Sequence, residues 1–459
     1  MFRSSFADTI IAVSTPPGRG GIGIVRLSGP DALPISLTFF QPGRKPRRIP
    51  SHKAVLGKLL DPANGRSFDE AVLVYFQKPR SYTKEDVVEM SLHGSPVVLE
   101  EAVRLGVAAG ARPARPGEFT LRACLNGRYD LIQAEAVNDL IRAESRAAAK
   151  MAWGQIEGGL SHKVLALRRE LIELAADIEA SLEFPDEDLP TSKSGIMDRI
   201  SRIAADIETL VSSHETGKAL VDGPVIAIIG RANVGKSTLF NAFLGEERAI
   251  TAPEPGTTRD YLTERIRIKA QGFTLVDMAG LGRPASDIEK EGIRRGRKAA
   301  READGLILLM DASKKAHSED LALLSEYRGR KAVLVFNKID LPRIMDVAAI
   351  RKNNPGFPSI GISALKGTNI GKLMDRIYDR FAPVIPDSGE IIFHERQKHL
   401  LEAVLSRLRA GEKALETGYS EEVCAEEVRE ALPLFGQLTG EIGAEEVIGD
   451  IFDRFCVGK

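Results

Sequence analysis

At 459 residues the chain is too long for one hydrophobic core, so roughly two to four domains are expected. Its 43% hydrophobic and 28% charged residues are ordinary for a soluble globular protein. A net charge of −1 excludes a global basic field that draws in nucleic acid, so an RNA partner must bind locally or together with another protein.

The N-terminal "MFRSSFADTIIAVSTPPG" has no sustained apolar stretch ending at a small-residue cleavage site. No apolar run approaches the roughly 18 residues a membrane span needs, and a cytoplasmic protein with no membrane partner is expected. Residues 1–122 carry strand-like runs, "TIIAVS", "GIGIVRLSG", "KAVLGKLL" and "EAVLVYF", broken by Gly and Pro, and "VVEMSLHGSP" leads into a helical pattern from Val97 to Val107. These features predict an α+β domain. The basic run Gly43 to Arg48 reads as a solvated loop. "GRGGIG" satisfies a dinucleotide-binding pattern, but strands flank it on both sides and no acid stands about 20 residues on, so that site is rejected.

Residues 123–220 switch to helical periodicity, as in "VLALRRELIELAADIEASLEF", before "FPDEDLP" interrupts the run. From 221 to 380 short apolar strands alternate with helices, the signature of a parallel α/β sheet. After "FAPVIPDSGE" the chain, 381–459, is helical again. Helix, then α/β, then helix predicts an α/β domain inserted into a split helical one.

"PVIAIIGRANVGKSTLFNAFLG" matches the phosphate loop G-x-x-x-x-G-K-[ST] from Gly230 to Ser237, after an apolar strand (Val225 to Ile229) and before a helical pattern (Thr238 to Leu244). Backbone N–H groups of Asn233, Val234, Gly235, Lys236, Ser237 and Thr238 can cradle phosphates, Lys236 reaches the β- and γ-phosphates, and the Ser237 hydroxyl ligates Mg²⁺. "PGTTRD" supplies Thr257 and Thr258, where a switch loop adds a second Mg²⁺ hydroxyl. "FTLVDMAG" ends a strand in D-x-x-G; Asp277 serves the Mg²⁺ shell and Gly280, after Met278 and Ala279, senses the γ-phosphate. "AVLVFNKID" ends in N-K-x-D, from Asn337 and Lys338 to Asp340, whose carboxylate accepts from the guanine ring N–H and exocyclic amine. Adenine lacks that donor pair, so GTP is expected and an ATP-using enzyme is not. "SALKG" from Ser363 fits the last base-contacting loop. In Ras-like enzymes a Gln after D-x-x-G orients water; Leu281 stands there and cannot, and no arginine finger is evident in the chain.

Across essentially its whole length the sequence resembles the MnmE (TrmE) family of tRNA-modifying GTPases, through "TPPGRGGIGIVRLSG", "SYTKEDVVEM", "ARPGEFTLRACLNGRYDLIQAEA", "EFPDED", "GRANVGKST", "PGTTRD" and the terminal "FCVGK". The resemblance implies a multidomain fold: an N-terminal folate-binding-like, dimer-forming α+β domain (1–122), a split helical domain (123–220 and 381–459) and an inserted Ras-like P-loop GTPase domain (221–380). It implies a potassium ion in place of the arginine finger, held by the Asn233 side chain, the Ala252 and Glu254 carbonyls and Thr257, within a nucleotide-lining stretch that also includes Pro253, Pro255, Gly256 and Thr258. It implies Glu289 as the water-orienting catalytic acid. Family members read D-T-A-G-L-R where this chain has "DMAGLG"; Met278 and Gly282 depart from the pattern. A 5-formyl- or methylene-tetrahydrofolate cofactor is implied at Arg26, Glu89, Arg128 (commonly Lys in the family) and the terminal Lys459. The implied activity, in a homodimer that joins a flavin-containing partner (MnmG) as a heterotetramer, adds an aminomethyl or carboxymethylaminomethyl group to carbon 5 of the wobble uridine of tRNA. A ribosome-assembly GTPase switch is the rival reading, and it needs neither the N-terminal domain nor the tail.

Three well-separated cysteines, Cys124, Cys424 and Cys456, make a disulfide framework or thiolate zinc site unexpected. C-V-G-K is shaped like a prenylation box, but Gly458 is not aliphatic and no second anchor is present. Two readings of Cys456 stay open. It shares a helical stripe with Ile448, Ile451, Phe452 and Phe455, which makes it core; or its thiolate adds to a pyrimidine carbon next to the one being modified, helped by Lys459.

Overall fold

The computed structural model describes residues 8–43, 48–143, 145–183, 192–221, 223–246, 262–269, 271–277, 298, 300–383, 390–417, 421–441, 451–452 and 455–458. The chain divides into two compact units, one formed by Met1–Asn138, Trp153–Ala205 and Leu400–Lys459, the other by Asp139–Ala152 and Asp206–His399.

The first unit is built on a seven-stranded sheet. Its strands are β1 (Ile10–Val13), β2 (Gly20–Ser28), β3 (Phe40–Pro42), β4 (Ala54–Leu60), β5 (Ser67–Phe76), β6 (Val87–Gly94) and β7 (Arg112–Pro113), in the order β3-β4-β5-β6-β2-β1-β7. All pairs are antiparallel except β1–β7. Helices Ala32–Phe39 and Pro96–Ala108 supply Phe39, Leu99 and Leu105 to a core that takes Val25 and Leu27 from β2 and Val88 and Met90 from β6. Because strand side chains alternate faces, burying Val25 and Leu27 puts Arg26 on the opposite face, and burying Val88 and Met90 does the same for Glu89. The register pairs Arg26 with Glu89 directly.

The helical part of this unit pairs Gly159–Glu183 with Glu421–Thr439. Leu160, Val164, Leu167, Leu171, Leu174 and Ile178 recur at helical spacing on one face, and Cys424, Val428, Ala431, Phe435 and Leu438 do so on the other helix. At the first helix of this region, Arg122 is only 1% exposed, with ion pairs to Asp8, Glu85 and Glu118 that satisfy an otherwise prohibitive buried charge.

The second unit carries a six-stranded sheet. Its strands are β8 (Val225–Ile229), β9 (Leu262–Ile268), β10 (Gln271–Asp277), β11 (Gly305–Asp311), β12 (Ala332–Asn337) and β13 (Ser359–Gly361), in the order β13-β12-β11-β8-β10-β9. It is parallel as expected, except that β9 runs antiparallel to β10 at one edge. Helices Lys236–Glu246 and Ile370–Phe381 pack on one face, Ser318–Glu326 and Val347–Asn353 on the other. Covered on both sides, β11 and β12 are buried at every residue and read as unbroken apolar runs. Strand order reverses beside β8, which sets a ligand crevice at the carboxyl ends of β8, β11 and β12. Among the described residues no helix is long and apolar enough to cross a membrane.

Candidate functional site

The phosphate-loop motif lies where the topology puts a crevice, between the end of β8 and helix Lys236–Glu246. Gly235 has φ 102° and a Cβ there would stand 2.3 Å from Asn337 Nδ2, so this position accepts glycine alone. Asn233 takes φ 64°, a left-handed conformation that Asn tolerates better than most residues. Lys236 is 7% exposed; its Nζ donates to the carbonyls of Gly230 (3.2 Å) and Arg231 (3.0 Å), folding the ammonium back over the loop. Val234 is buried, while Asn233, Ser237 and Thr238 are exposed at the helix N-terminus, where backbone N–H groups favour an anion.

The N-K-x-D residues divide into two kinds. Asn337 is 2% exposed and is a strut: its Nδ2 donates to Val234 O at 2.8 Å and its Oδ1 accepts from Ala364 N at 2.9 Å. Lys338 Nζ donates to Asn233 O and to Asp311 Oδ2, both at 2.8 Å. Burial pushes the Asp311 carboxyl up, but hydrogen bonds from Lys338 and Ser313 outweigh it and hold the group below the usual carboxylate range. Asp340, two residues beyond Lys338, is exposed and makes no side-chain bond among the described residues. Ser363 is fully buried, its N–H bonded to Thr368 O and its Oγ accepting from Lys366 N. Asp277 ends β10, with its backbone in register with Ile228. Asp311 was missed by motif reading; the all-apolar strand "GLILLM" ending in an acid was the available signal.

The remaining nucleotide and catalytic expectations, Ala252, Pro253, Glu254, Pro255, Gly256, Thr257, Thr258, Met278, Ala279, Gly280, Leu281, Gly282 and Glu289, lie outside the described residues, as do Ile448 and Lys459. Of the proposed potassium ligands, only Asn233 is described.

A second constellation sits on the first unit's sheet, on the face away from its helices. Arg26 Nε and Nη2 both reach Glu89 Oε1 at 2.8 Å. The Arg26 guanidinium carbon lies 5.5 Å from the Tyr82 ring centroid and that of Arg128 5.0 Å from the same ring. Arg128 also lies over Tyr129 at 5.1 Å and donates to Ser81 O at 2.8 Å. Of the three polar residues expected from distant stretches of sequence, Arg26 and Arg128 therefore lie against one aromatic ring, and Glu89 is joined to it through Arg26. Tyr82, which sequence reading did not single out, is mostly buried; its hydroxyl lies 2.9 Å from Thr120 Oγ1, and burial pushes the phenol up. Two guanidinium planes, a carboxylate and a buried aromatic suit a flat, acidic ligand that stacks and hydrogen-bonds.

The C-terminal tail enters this constellation. Gly458 O accepts from Ser14 Oγ (3.1 Å) and Arg26 Nη1 (3.2 Å), Gly117 N donates to Cys456 O (3.4 Å), and Val457 forms an antiparallel bridge with Pro116. The helical-stripe expectation for Cys456 is corrected here. Phe452 and Phe455 are buried with Leu131 and Ala134, but the chain has left the helix by residue 455, and Cys456 lies in an extended segment with its thiol exposed. Backbone pairing with Pro116 wins over another helical turn. Burial, by contrast, pushes the Cys424 thiol up to about 11 and that of Cys124 higher still, which leaves both inert.

A family model described as the MnmE helical domain matches residues 131–456, and one described as the GTP-binding protein TrmE N-terminus matches residues 9–128. The tRNA modification GTPase MnmE of Aquifex aeolicus (strain VF5) is 40% identical over 456 residues, covering 98% of this chain and 100% of that protein. The tRNA modification GTPase MnmE of Natranaerobius thermophilus is 38% identical over 455 residues, covering 98% and 99%. That of Geobacter sulfurreducens is 39% identical over 456 residues, with the same coverage.

Proposed function

The chain belongs to the MnmE family of tRNA modification GTPases, and from that premise we propose a mechanism divided between its two sites. It is an enzyme that hydrolyses GTP in the course of tRNA modification. In our reading the modification adds an aminomethyl or carboxymethylaminomethyl group to carbon 5 of the wobble uridine, in a cytoplasmic homodimer working with a flavoprotein partner of the MnmG kind. The GTPase domain (221–380) is inserted into a helical domain (123–220 and 381–459) behind the folate-binding-like N-terminal domain (1–122).

At the nucleotide site the loop of Asn233 to Thr238 presents backbone N–H groups to the phosphates, and Lys236 exchanges its two carbonyl partners for phosphate oxygens. Asp340, exposed beside the Asn337 strut, reads the guanine edge. Mg²⁺, held by Ser237 and Thr258 and shielded by Asp277, supplies charge neutralisation when bound. Asn233, Ala252, Glu254 and Thr257 would hold a potassium ion, which would supply the positive charge that an arginine finger supplies elsewhere. Glu289 orients the water that Leu281 cannot.

Arg26, Glu89 and Arg128 at the sheet, together with the terminal Lys459, would hold a tetrahydrofolate, which would supply the one-carbon unit. Tyr82, between Arg26 and Arg128, would offer an aromatic face to it. In this reading the exposed Cys456 thiol, two residues from the carbonyl held by Arg26, adds to the uracil ring as thiolate and activates the neighbouring carbon. The observation that supports this reading is the docking of the Gly458 carbonyl onto Arg26 and Ser14, two residues after Cys456, a contact that a ribosome-assembly switch has no use for.

The test is modification of an unmodified tRNA by the full chain with its flavoprotein partner, GTP and a one-carbon tetrahydrofolate. Cys456→Ser is expected to abolish modification while basal GTP hydrolysis and melting temperature stay at wild-type values. Normal modification by the serine variant rejects the nucleophile.

A further inference from the structure

The second unit has a groove of about 680 Å³ that none of the nucleotide motifs uses. It lies between the edge strand β13 and helix Ile370–Phe381, and its charged lining is Arg351, Lys372, Arg376, Arg380, Asp375 and Asp379.

The signs are sorted in space. Lys269, at the end of β9, places its Nζ 2.8 Å from Asp375 and 4.0 Å from Asp379, so the two carboxylates share a counter-charge. Those carboxylates hold the Lys269 ammonium firmly in its charged form. Lys372, Arg376 and Arg380 are exposed and have no hydrogen-bond or ion-pair partner among the described residues. Among the described residues Arg351 has only the face of Phe336, at 5.6 Å, behind its guanidinium. The groove therefore presents four cations and two carboxylates that are already paired with a fifth.

Lys372, Arg376 and Arg380 stand in a row at successive i, i+4 positions, where like charges repel along the helix. The acids that could offset the row, Asp375 and Asp379 at i+3 from Lys372 and Arg376, are drawn to Lys269 instead. Nothing in the apolar face of this helix, Leu373, Ile377 and Phe381, demands that choice. Four residues of helix advance the row by about 6 Å per step, close to the separation of successive phosphates along a nucleic-acid strand. Two of the three are guanidinium forks, the side chain best matched to phosphate oxygens. The chain as a whole carries −1, so this is a local field rather than a share of a general one.

We propose that this groove is a contact surface for the phosphate backbone of the tRNA substrate. The proposal rests on the reading of the chain as a tRNA modification enzyme. Contacts of this kind set the position of the RNA and carry affinity without reading sequence.

The test uses the full-length chain, an unmodified tRNA transcript, and affinity measured by fluorescence anisotropy over a salt series. The variants are the triple reversal K372E/R376E/R380E and the triple neutralisation K372Q/R376Q/R380Q. Loss of three phosphate contacts is expected to lower the slope of log K against log salt by about 2 to 3 and to weaken binding on the order of tenfold or more at low salt. The neutral triple should lose less affinity than the reversal, and GTP affinity and basal hydrolysis should match wild type in both. If the reversal does not fold, the neutral triple alone decides by the same slope. Wild-type affinity and slope in a folded variant overturn the groove and leave the functional reading standing. Failure of the wild-type chain, with its partner, to bind tRNA at all overturns both. Loss of partner-protein binding with tRNA affinity retained overturns the RNA assignment in favour of an acidic protein surface.

Discussion

Substituting Gly458 by alanine tests whether the docked tail matters for chemistry. The residue has φ 96°, and an added Cβ would stand 2.2 Å from Val13 O and 2.9 Å from Ser14 Cα. Both are backbone atoms of the sheet, so no side-chain rotation relieves the contact. The positive φ alone costs a non-glycine residue about 1–2 kcal/mol. Relieving the clash means moving the tail by about an ångström, which breaks the bonds from Ser14 Oγ and Arg26 Nη1 to Gly458 O. A neutral bond of this kind nets about 0.5–1.5 kcal/mol and one from a charged donor about 1.5–3 kcal/mol. Strain plus lost bonds comes to roughly 3–6 kcal/mol, enough to lower the docked population more than a hundredfold. Reconstituted modification of the wobble uridine should fall accordingly, while basal GTP hydrolysis, carried by residues of the other unit, is unchanged. A Gly458→Ala chain that modifies tRNA at the wild-type rate would show that the docked tail is irrelevant to the reaction. A parallel fall in hydrolysis would show that the substitution damages the whole protein.

Asp340→Asn should weaken GTP binding and favour xanthosine triphosphate, because the amide matches the base edge with the opposite hydrogen-bond polarity; equal GTP and ATP affinities in the wild type would remove the guanine assignment. GTP turnover should be faster in KCl than in NaCl at equal ionic strength, and equal rates reject the cation at Asn233. Acid should unfold the first unit through its arginine cluster. Burial raises Glu118, but bonds from Arg112, the Arg115 N–H and Arg122 outweigh it and hold the carboxyl low; Asp8 is likewise lowered by Arg112 and Arg122 against its own burial. A depressed folded pKa stabilises above the unfolded value of about 4 and loses that contribution as pH falls through the folded one. Glu118→Gln should therefore cost about 3 kcal/mol at neutral pH, with Asp8 and Glu85 still pairing Arg122, and should flatten the decline of melting temperature below about pH 5.

What could be read from the sequence followed the length scale of the interaction. The phosphate loop was legible because strand, loop and helix are contiguous, and Val225–Ile229 and Lys236–Glu246 form the elements the motif demands. The antiparallel β9 was not, since hydrophobic pattern does not encode strand direction. Arg26 and Glu89 entered through family resemblance, yet alternation in "GIVRLSG" and "VVEMSLHG" already puts each on the face its apolar neighbours leave. Their pairing needed the β2–β6 register. Tyr82 sits in a loop without periodicity and was silent until Arg26 and Arg128 were seen against its ring. The core reading of Cys456, one of the two left open, fails because Phe452 and Phe455 are spaced like a helix stripe while Val457, beyond the helix, pairs with the distant Pro116.

The same distinction between local and distant contacts changes what the N-K-x-D motif means in this protein. As a string it names three base-recognition residues, but only Asp340 is free to face a base. Asn337 is committed to Val234 and Ala364, and Lys338 to Asn233 and Asp311. Those four bonds tie the phosphate loop to the ends of β11 and β12 and to the Ser363 loop before any nucleotide arrives. Buried groups such as Val234 O and Ala364 N would each cost about 1–3 kcal/mol if left unpaired, so the loop has little freedom to rearrange. The base end and the phosphate end of the site are therefore one prearranged frame, and the ordering entropy that binding would otherwise have to offset is already met by the fold. In our reading guanine selectivity then falls to Asp340, whose carboxylate is exposed and makes no bond among the described residues, next to a loop held by the four bonds above.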